Sequence, residues 1–171
     1  MHPALLATLV AAASARLVAI SAPAALAPNT SFTFNLTTQN YIQSVADLSV
    51  AWGFQLPSVD QPTGWPHSVG CFASSAYLGP GRSNQPYDVV VNGTVPVELN
   101  RAEWYGKDVV LSVAVTSLYG QGGMVVVYGW NVTVKIGETT GGVYVRSGLA
   151  GWSYDGHEKD CDTRSGLDCE V

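Results

Sequence analysis

SFTFNLT, residues 31–37, is the stretch on which the reading of the fold turns. Phe32, Phe34 and Leu36 alternate with Thr33, Asn35 and Thr37. Successive side chains of a strand point to opposite faces, so a period of two marks a half-buried strand. WNVTVKI, residues 130–136, repeats the pattern, with Trp130, Val132, Val134 and Ile136 directed inward and Asn131, Thr133 and Lys135 outward. Between these two stretches lie VADLSVAWGF (45–54), YDVVVNG (87–93), VPVEL (95–99) and DVVLSVAVTSLYG (108–120), all rich in β-branched and aromatic residues. The run near residue 110 is apolar enough for a central strand, and RLVAISA (16–22) supplies a first one. AALAPNTSF (24–32), LGPGRSNQP (78–86) and LYGQGGM (118–124) read as turns, because Pro removes a donor and Gly admits left-handed backbone. No long amphipathic helix interrupts this order.

Seven or so strands at such spacing predict an all-β domain over residues 16–137, an immunoglobulin-like or fibronectin-like β-sandwich. The Cys-Trp-Cys pattern of a true immunoglobulin domain is missing. From residue 138 to 171 the Gly-rich ETTGGVYVRSG (138–148) and acidic YDGHEKDCDTRSGLDCEV (154–171) predict a poorly structured extension, in which VYV forms a short edge strand.

MHPALLATLVAAASA, residues 1–15, reads as a secretory signal: an apolar run ends in the small residues Ala13-Ser14-Ala15 that signal peptidase requires. The run is too short to span a bilayer, which takes roughly twenty apolar residues. Four N-glycosylation triplets, beginning at Asn29, Asn35, Asn92 and Asn131, fit an exported chain. The three cysteines, Cys71, Cys161 and Cys169, leave one thiol unpaired or bonded to another chain. A local Cys161–Cys169 bond and a bond from Cys71 to the tail both stay open. A net charge of −5 from 8 basic and 13 acidic residues argues against nucleic-acid binding and against a polybasic membrane anchor.

Catalytic patterns do not rise from the sequence. GWPHSVGC (64–71) sets His67 near Ser68 and Cys71 with Asp60 upstream, but no nucleophile elbow surrounds them, and a loop histidine is the simpler reading. Glu98 and Glu103 read as solvent-facing charges beside a turn rather than a glycosidase pair. Asp155, His157, Glu158, Asp160 and Asp162 match neither a calcium loop nor a zinc motif, so no metal and no cofactor is expected. Among the aromatics, Trp52 and Trp130 fall in strand patterns and read as core. Trp65, Trp104 and Tyr105 fall in turn-like contexts and are candidate contacts with a partner.

APNTSFTFNLTTQNYIQSVADLSVAWGF (27–54), followed in order by SAYLGP (75–80), VPVEL, VVLSVAVTSLYG (109–120) and NVTVKIG (131–137), resembles the necrosis-inducing secreted protein family of plant-associated fungi. The resemblance covers Arg16 to Gly137. It implies a non-enzymatic secreted effector that suppresses plant pattern-triggered immunity by binding receptor-associated immune kinases, namely the co-receptor kinase and a downstream cytoplasmic kinase. Some members also provoke cell death, and the cytoplasmic target implies passage into the host cell. The shared segments mark Asn40, Tyr41, Ile42 and Gln43, together with Tyr77 of YLGP, as recognition or structural signatures. The other readings of the residues are an extracellular cell-wall or glycan-binding β-sandwich module, contacting through Trp65 or Trp104, and a purely structural secreted glycoprotein.

Overall fold

Chains this rich in Val, Thr and aromatic residues satisfy their backbone polar groups by pairing strands. The computed structural model describes residues 14–154, and these carry nine strands. In chain order they are β1 (Ser14–Leu26), β2 (Ser31–Tyr41), β3 (Val45–Gln55), β4 (Cys71–Tyr77), β5 (Val89–Thr94), β6 (Asp108–Tyr119), β7 (Met124–Ile136), β8 (Gly141–Arg146) and β9 (Trp152–Tyr154). Short 3₁₀ turns occur at Pro80–Arg82 and Val97–Asn100.

Seven strands follow one hydrogen-bonded path, β4-β3-β6-β7-β1-β2-β5, which curls into a nearly closed barrel whose free edges are β4 and β5. All neighbours on the path are antiparallel except β1 and β7, which run parallel and meet only at Ala25–Leu26 against Lys135–Ile136. The barrel is therefore welded at one end of this seam and splayed along the rest. The fold is all-β, as expected, with a barrel-like closure.

The core is filled by the alternation read in the sequence. Phe32, Phe34 and Leu36 are buried, as are Trp130, Val132, Val134 and Ile136. Phe34 and Trp52 lie edge to face with ring centroids 5.4 Å apart, and Phe32 stacks on Phe34 at 5.9 Å. β6 is buried without a break from Val109 to Val113, which suits a central strand flanked by β3 and β7. β3 carries a bulge between Trp52 and Phe54. Gly53 sits in it because a Cβ there would lie 2.6 Å from the Val69 carbonyl oxygen. The loop back to β4 crosses at that point.

The described strands extend past the expected domain limits at both ends. Ser14 and Ala15 open β1, pairing with Tyr41 and Asn40, so the strand begins two residues before the expected signal cleavage. The remainder of that segment, residues 1–13, lies outside the described residues. At the other end the sheet does not stop at residue 137. β8 contains the expected VYV strand and pairs with β1, and β9 pairs with β7, so both fill the splayed seam. Side chains fasten this segment. Thr140 Oγ1 accepts the Ala27 N–H and contacts Thr30 Oγ1, the Tyr144 hydroxyl lies 2.7 Å from Thr33 Oγ1, and Ser147 Oγ accepts the Ile20 N–H. Small and Gly-rich residues gave no apolar periodicity in this stretch, because it packs as an outer layer and buries little of its own. Residues 155–171, with Cys161 and Cys169, lie outside the described residues.

Phe34→Ala removes a fully buried ring from the middle of the core. It is expected to lower unfolding free energy by about 3–5 kcal/mol in a denaturant titration.

Candidate functional site

Strand directions sort the expected contact residues into two groups at opposite ends of the barrel. One end is built from the start of β1, the β2–β3 turn, the segment after β4 and the β6–β7 turn. Asn40, Tyr41, Ile42, Gln43 and Tyr77 stand here. The other end holds the loop between β3 and β4, with Trp65, and the segment between β5 and β6, with Trp104 and Tyr105.

At the first end, the β2–β3 turn is held from below rather than left loose. The Gly120 N–H donates to the Ser44 carbonyl, and Tyr41 packs edge to face on Tyr119 at 5.8 Å. The Arg16 guanidinium lies 4.7 Å from the centroid of the same Tyr41 ring. Tyr41 is thereby half-buried, while Asn40 and Gln43 are exposed and Ile42 projects with 92 % of its surface open to solvent. Tyr77 is 72 % exposed. Tyr87 and Met124 join them at this end as exposed large side chains that sequence reading missed. Each opens a strand pattern, Tyr87 at the head of YDVVVNG and Met124 at the head of β7, and alternation alone hides which strand termini stay uncovered.

A buried polar knot fixes the segment after β4. The Asp47 carboxylate accepts a 2.6 Å hydrogen bond from Ser117 Oγ, and Ser83 Oγ accepts the Asp47 N–H at 2.8 Å. The Ser83 proton faces the Gly79 carbonyl at 2.8 Å and the Asp47 carbonyl at 3.0 Å. Asn84 Oδ1 accepts the Ala15 N–H, and Asp88 Oδ1 accepts the Thr38 N–H. These bonds tie residues 79–88 to three strands. Burial pushes the Asp47 carboxyl above its ordinary range, with the Ser117 hydrogen bond opposing that shift. Burial likewise raises the neighbouring Tyr119 hydroxyl.

At the second end the outcome is mixed. Trp65 is exposed on a loop whose backbone is pinned by Gln55: Oε1 accepts the Trp65 N–H at 2.7 Å, and Nε2 donates to the Ser68 carbonyl and Ser112 Oγ. Tyr105 is partly exposed. Trp104 is no contact residue, because only 6 % of it is exposed. The N–H groups of Trp104 and Tyr105 both donate to the Arg101 carbonyl, and this tight turn aims the indole inward against Phe72 at 5.6 Å. An aromatic in a short turn faces the core when the turn folds over an open barrel mouth.

Among the described residues, nothing at this end assembles a hydrolytic site. The His67 ring packs 5.2 Å from Trp152, Ser68 Oγ accepts the Gly70 N–H, and Glu103 accepts the Trp104 indole N–H. Cys71 is exposed and has no disulfide partner among the described residues. No group of three His, Cys, Asp or Glu side chains among them is placed to hold a metal ion. The sequons differ sharply in setting. Asn29 and Asn92 are exposed and Asn35 is half-buried, whereas the Asn131 amide donates to the Thr63 carbonyl at 2.8 Å beneath a loop.

The Nis1 family matches residues 13–135, a span running from the start of β1 almost to the end of β7. The chain belongs to the Nis1 family. Over 141 residues it is 33% identical to Necrosis-inducing secreted protein 1 of Colletotrichum orbiculare, covering 82% of each chain. Over 139 residues it is 31% identical to the protein of the same name from Colletotrichum higginsianum, covering 81% of this chain and 90% of the relative. This chain is accordingly a member of a family whose matched relatives are secreted, necrosis-inducing proteins of fungi. The matched residues contain the whole seven-strand path except Ile136, and β8 and β9 lie beyond them.

Two outcomes test this geometry. Produced in a glycosylating host, Asn92→Gln is expected to lose one glycan by intact mass, while Asn131→Gln loses none, since the folded Asn131 amide is engaged under the 61–66 loop. Asp47 tests the knot. A carboxyl with a raised folded pKa destabilises the fold progressively as pH rises above about 4, where the unfolded carboxyl ionises. Asp47→Asn should therefore match the wild type near pH 3 and gain in melting temperature relative to it as pH rises to 7.

Proposed function

We propose that this effector suppresses plant pattern-triggered immunity by occupying a surface of receptor-associated immune kinases, the membrane co-receptor kinase and a downstream cytoplasmic kinase. The observation that carries the reading is Ile42, an almost fully exposed apolar side chain on a turn whose base is clamped by Tyr41, Tyr119 and the Gly120–Ser44 hydrogen bond. An apolar anchor held on a rigid frame binds with little loss of conformational freedom, and such anchors carry most of the energy of an interface. Tyr77 and Tyr87 offer further aromatic surface at the same end. Secretion through the residue 1–15 signal, followed by passage into the host cytoplasm, completes this reading, and necrosis follows from the disabled immune signalling. The domain is proposed as an effector unit over residues 16–137. Its sandwich description, immunoglobulin-like or fibronectin-like, draws support from the splayed β1–β7 seam, which divides the strands into two facing sets.

A glycan-binding module is the second reading, and exposed Trp65 on its pinned loop favours it. The two readings assign contact to opposite ends of the barrel. In a titration of the secreted chain against plant immune-kinase domains, with an unrelated kinase as control, selective saturable binding is expected. Ile42→Asp and Tyr77→Asp should each weaken it at least about tenfold without shifting the melting temperature, and Trp65→Ala should leave it unchanged. Absence of binding across the kinase panel overturns the proposal.

A further inference from the structure

The splayed seam leaves a cleft of about 400 Å³ along the edge of β7, within the range of roughly 300–1,000 Å³ typical of small-molecule sites. β7 pairs with β9 up to Gly129 and with β1 from Lys135, so residues 130–134 have no strand partner on this edge among the described residues. The loop at residues 61–66 forms one wall, and the strap at residues 147–151, between β8 and β9, forms the other.

Three buried polar atoms on this cleft have no hydrogen-bond partner among the described residues: the indole N–H of Trp130, the indole N–H of Trp152 and the Oδ1 of Asn131. Trp130 is only 3 % exposed. A buried donor or acceptor left unpaired costs about 1–3 kcal/mol, and native structures rarely leave three beside one cavity. The strap covers them through backbone alone. A Cβ on Gly151 would lie 2.7 Å from Trp130 Nε1, and Gly129 lies directly under the Trp152 ring. Beyond Ser147, which is bonded to Ile20, the strap consists of Gly148 and Gly151 flanking Leu149 and Ala150, both exposed, so little side-chain packing resists its displacement.

The geometry points to a binding site for a neutral polyhydroxylated ligand, a pyranose ring, admitted when the strap lifts. Two indole N–H groups donate to ring hydroxyl oxygens, Asn131 Oδ1 accepts a hydroxyl proton, and the Trp152 ring supplies an apolar face. No charged side chain among the described residues lines the cleft, which disfavours phosphate, carboxylate and cationic ligands. This site is separate from the Ile42 end and makes no use of Trp65.

The test uses full-length secreted chain, ¹⁵N-labelled and free of its own glycans, titrated with laminarihexaose, chitohexaose or mannohexaose. These probes distinguish a β-glucan, a chitin-type and a mannan source. The indole N–H resonances of Trp130 and Trp152 are expected to shift together and saturably with at least one of them. Trp152→Phe keeps an aromatic face but removes one donor, and should weaken that binding about five- to tenfold with the backbone spectrum otherwise retained. Asn131→Ala provides the same measurement should the phenylalanine variant misfold. Shifts confined to Trp65 would mean surface stacking only and overturn the proposal. So would shifts produced by an uncharged Gly-Ser hexapeptide but by no saccharide, which would mean strand addition at the β7 edge. Unchanged indole resonances with every probe would also overturn it, leaving the three atoms hydrated only.

Discussion

The edge-to-face contact between Phe34 and Trp52 is the interaction on which the rest of the structure depends. β2 and β3 are consecutive in the chain yet lie near opposite ends of the strand path, with β6, β7 and β1 between them. They meet only through the core. A curled sheet with two free edges has no hydrogen bonds to close it, so side-chain packing across the interior must hold its curvature. Phe32, Phe34 and Leu36 from one side and Val50, Trp52 and Phe54 from the other supply that packing. Aromatic rings bury large areas and have preferred mutual orientations, so this contact sets the distance between the facing walls as well as stabilising them.

From that closure the two ends of the barrel acquire different characters. The second end is plugged by Trp104, with Trp65 left exposed on the Gln55-pinned loop and Tyr105 partly exposed. The first end is braced instead by polar ties, the Asp47–Ser83–Ser117 knot and the Asn84 and Asp88 side-chain bonds. Polar bracing spends backbone and carboxylate groups on rigidity and leaves apolar side chains outside. This explains how Ile42, Tyr77, Tyr87 and Met124 remain exposed on a well-fastened frame. In an exported protein that must survive outside its cell, rigidity without a covered apolar end is consistent with a surface kept for a partner.

The seam between β1 and β7 shows how a local mismatch creates a further feature. Parallel pairing there covers only the last residues of β1. β8 and β9 take up only part of the remaining edges, and Gly151 in the strap between them brings backbone close to the Trp130 indole. Small residues that looked like weak structure in the sequence are what permit this covering layer to lie flat. The polar atoms they roof over are the ones left without partners.

Much of the fold was legible in the sequence because period-two alternation is local. It needs no knowledge of neighbours, and the residues of SFTFNLT and WNVTVKI face as it requires. The overall order of strands and the family signatures in the 27–54 stretch were legible for the same reason. Pairing order, barrel closure and the ends to which loops are delivered are non-local, since they depend on which strand edges meet. Trp104 was misread because a turn's outward look in sequence says nothing about the open barrel mouth beneath it. β8 and β9 were undervalued because their stability comes from the seam they fill rather than from their own apolar pattern. By itself the sequence determined the strands and their inward faces, through the alternation that the backbone pleat imposes. Only the tertiary structure decided which exposed residues share an end and which polar groups are buried together, because those depend on packing between segments far apart in the chain.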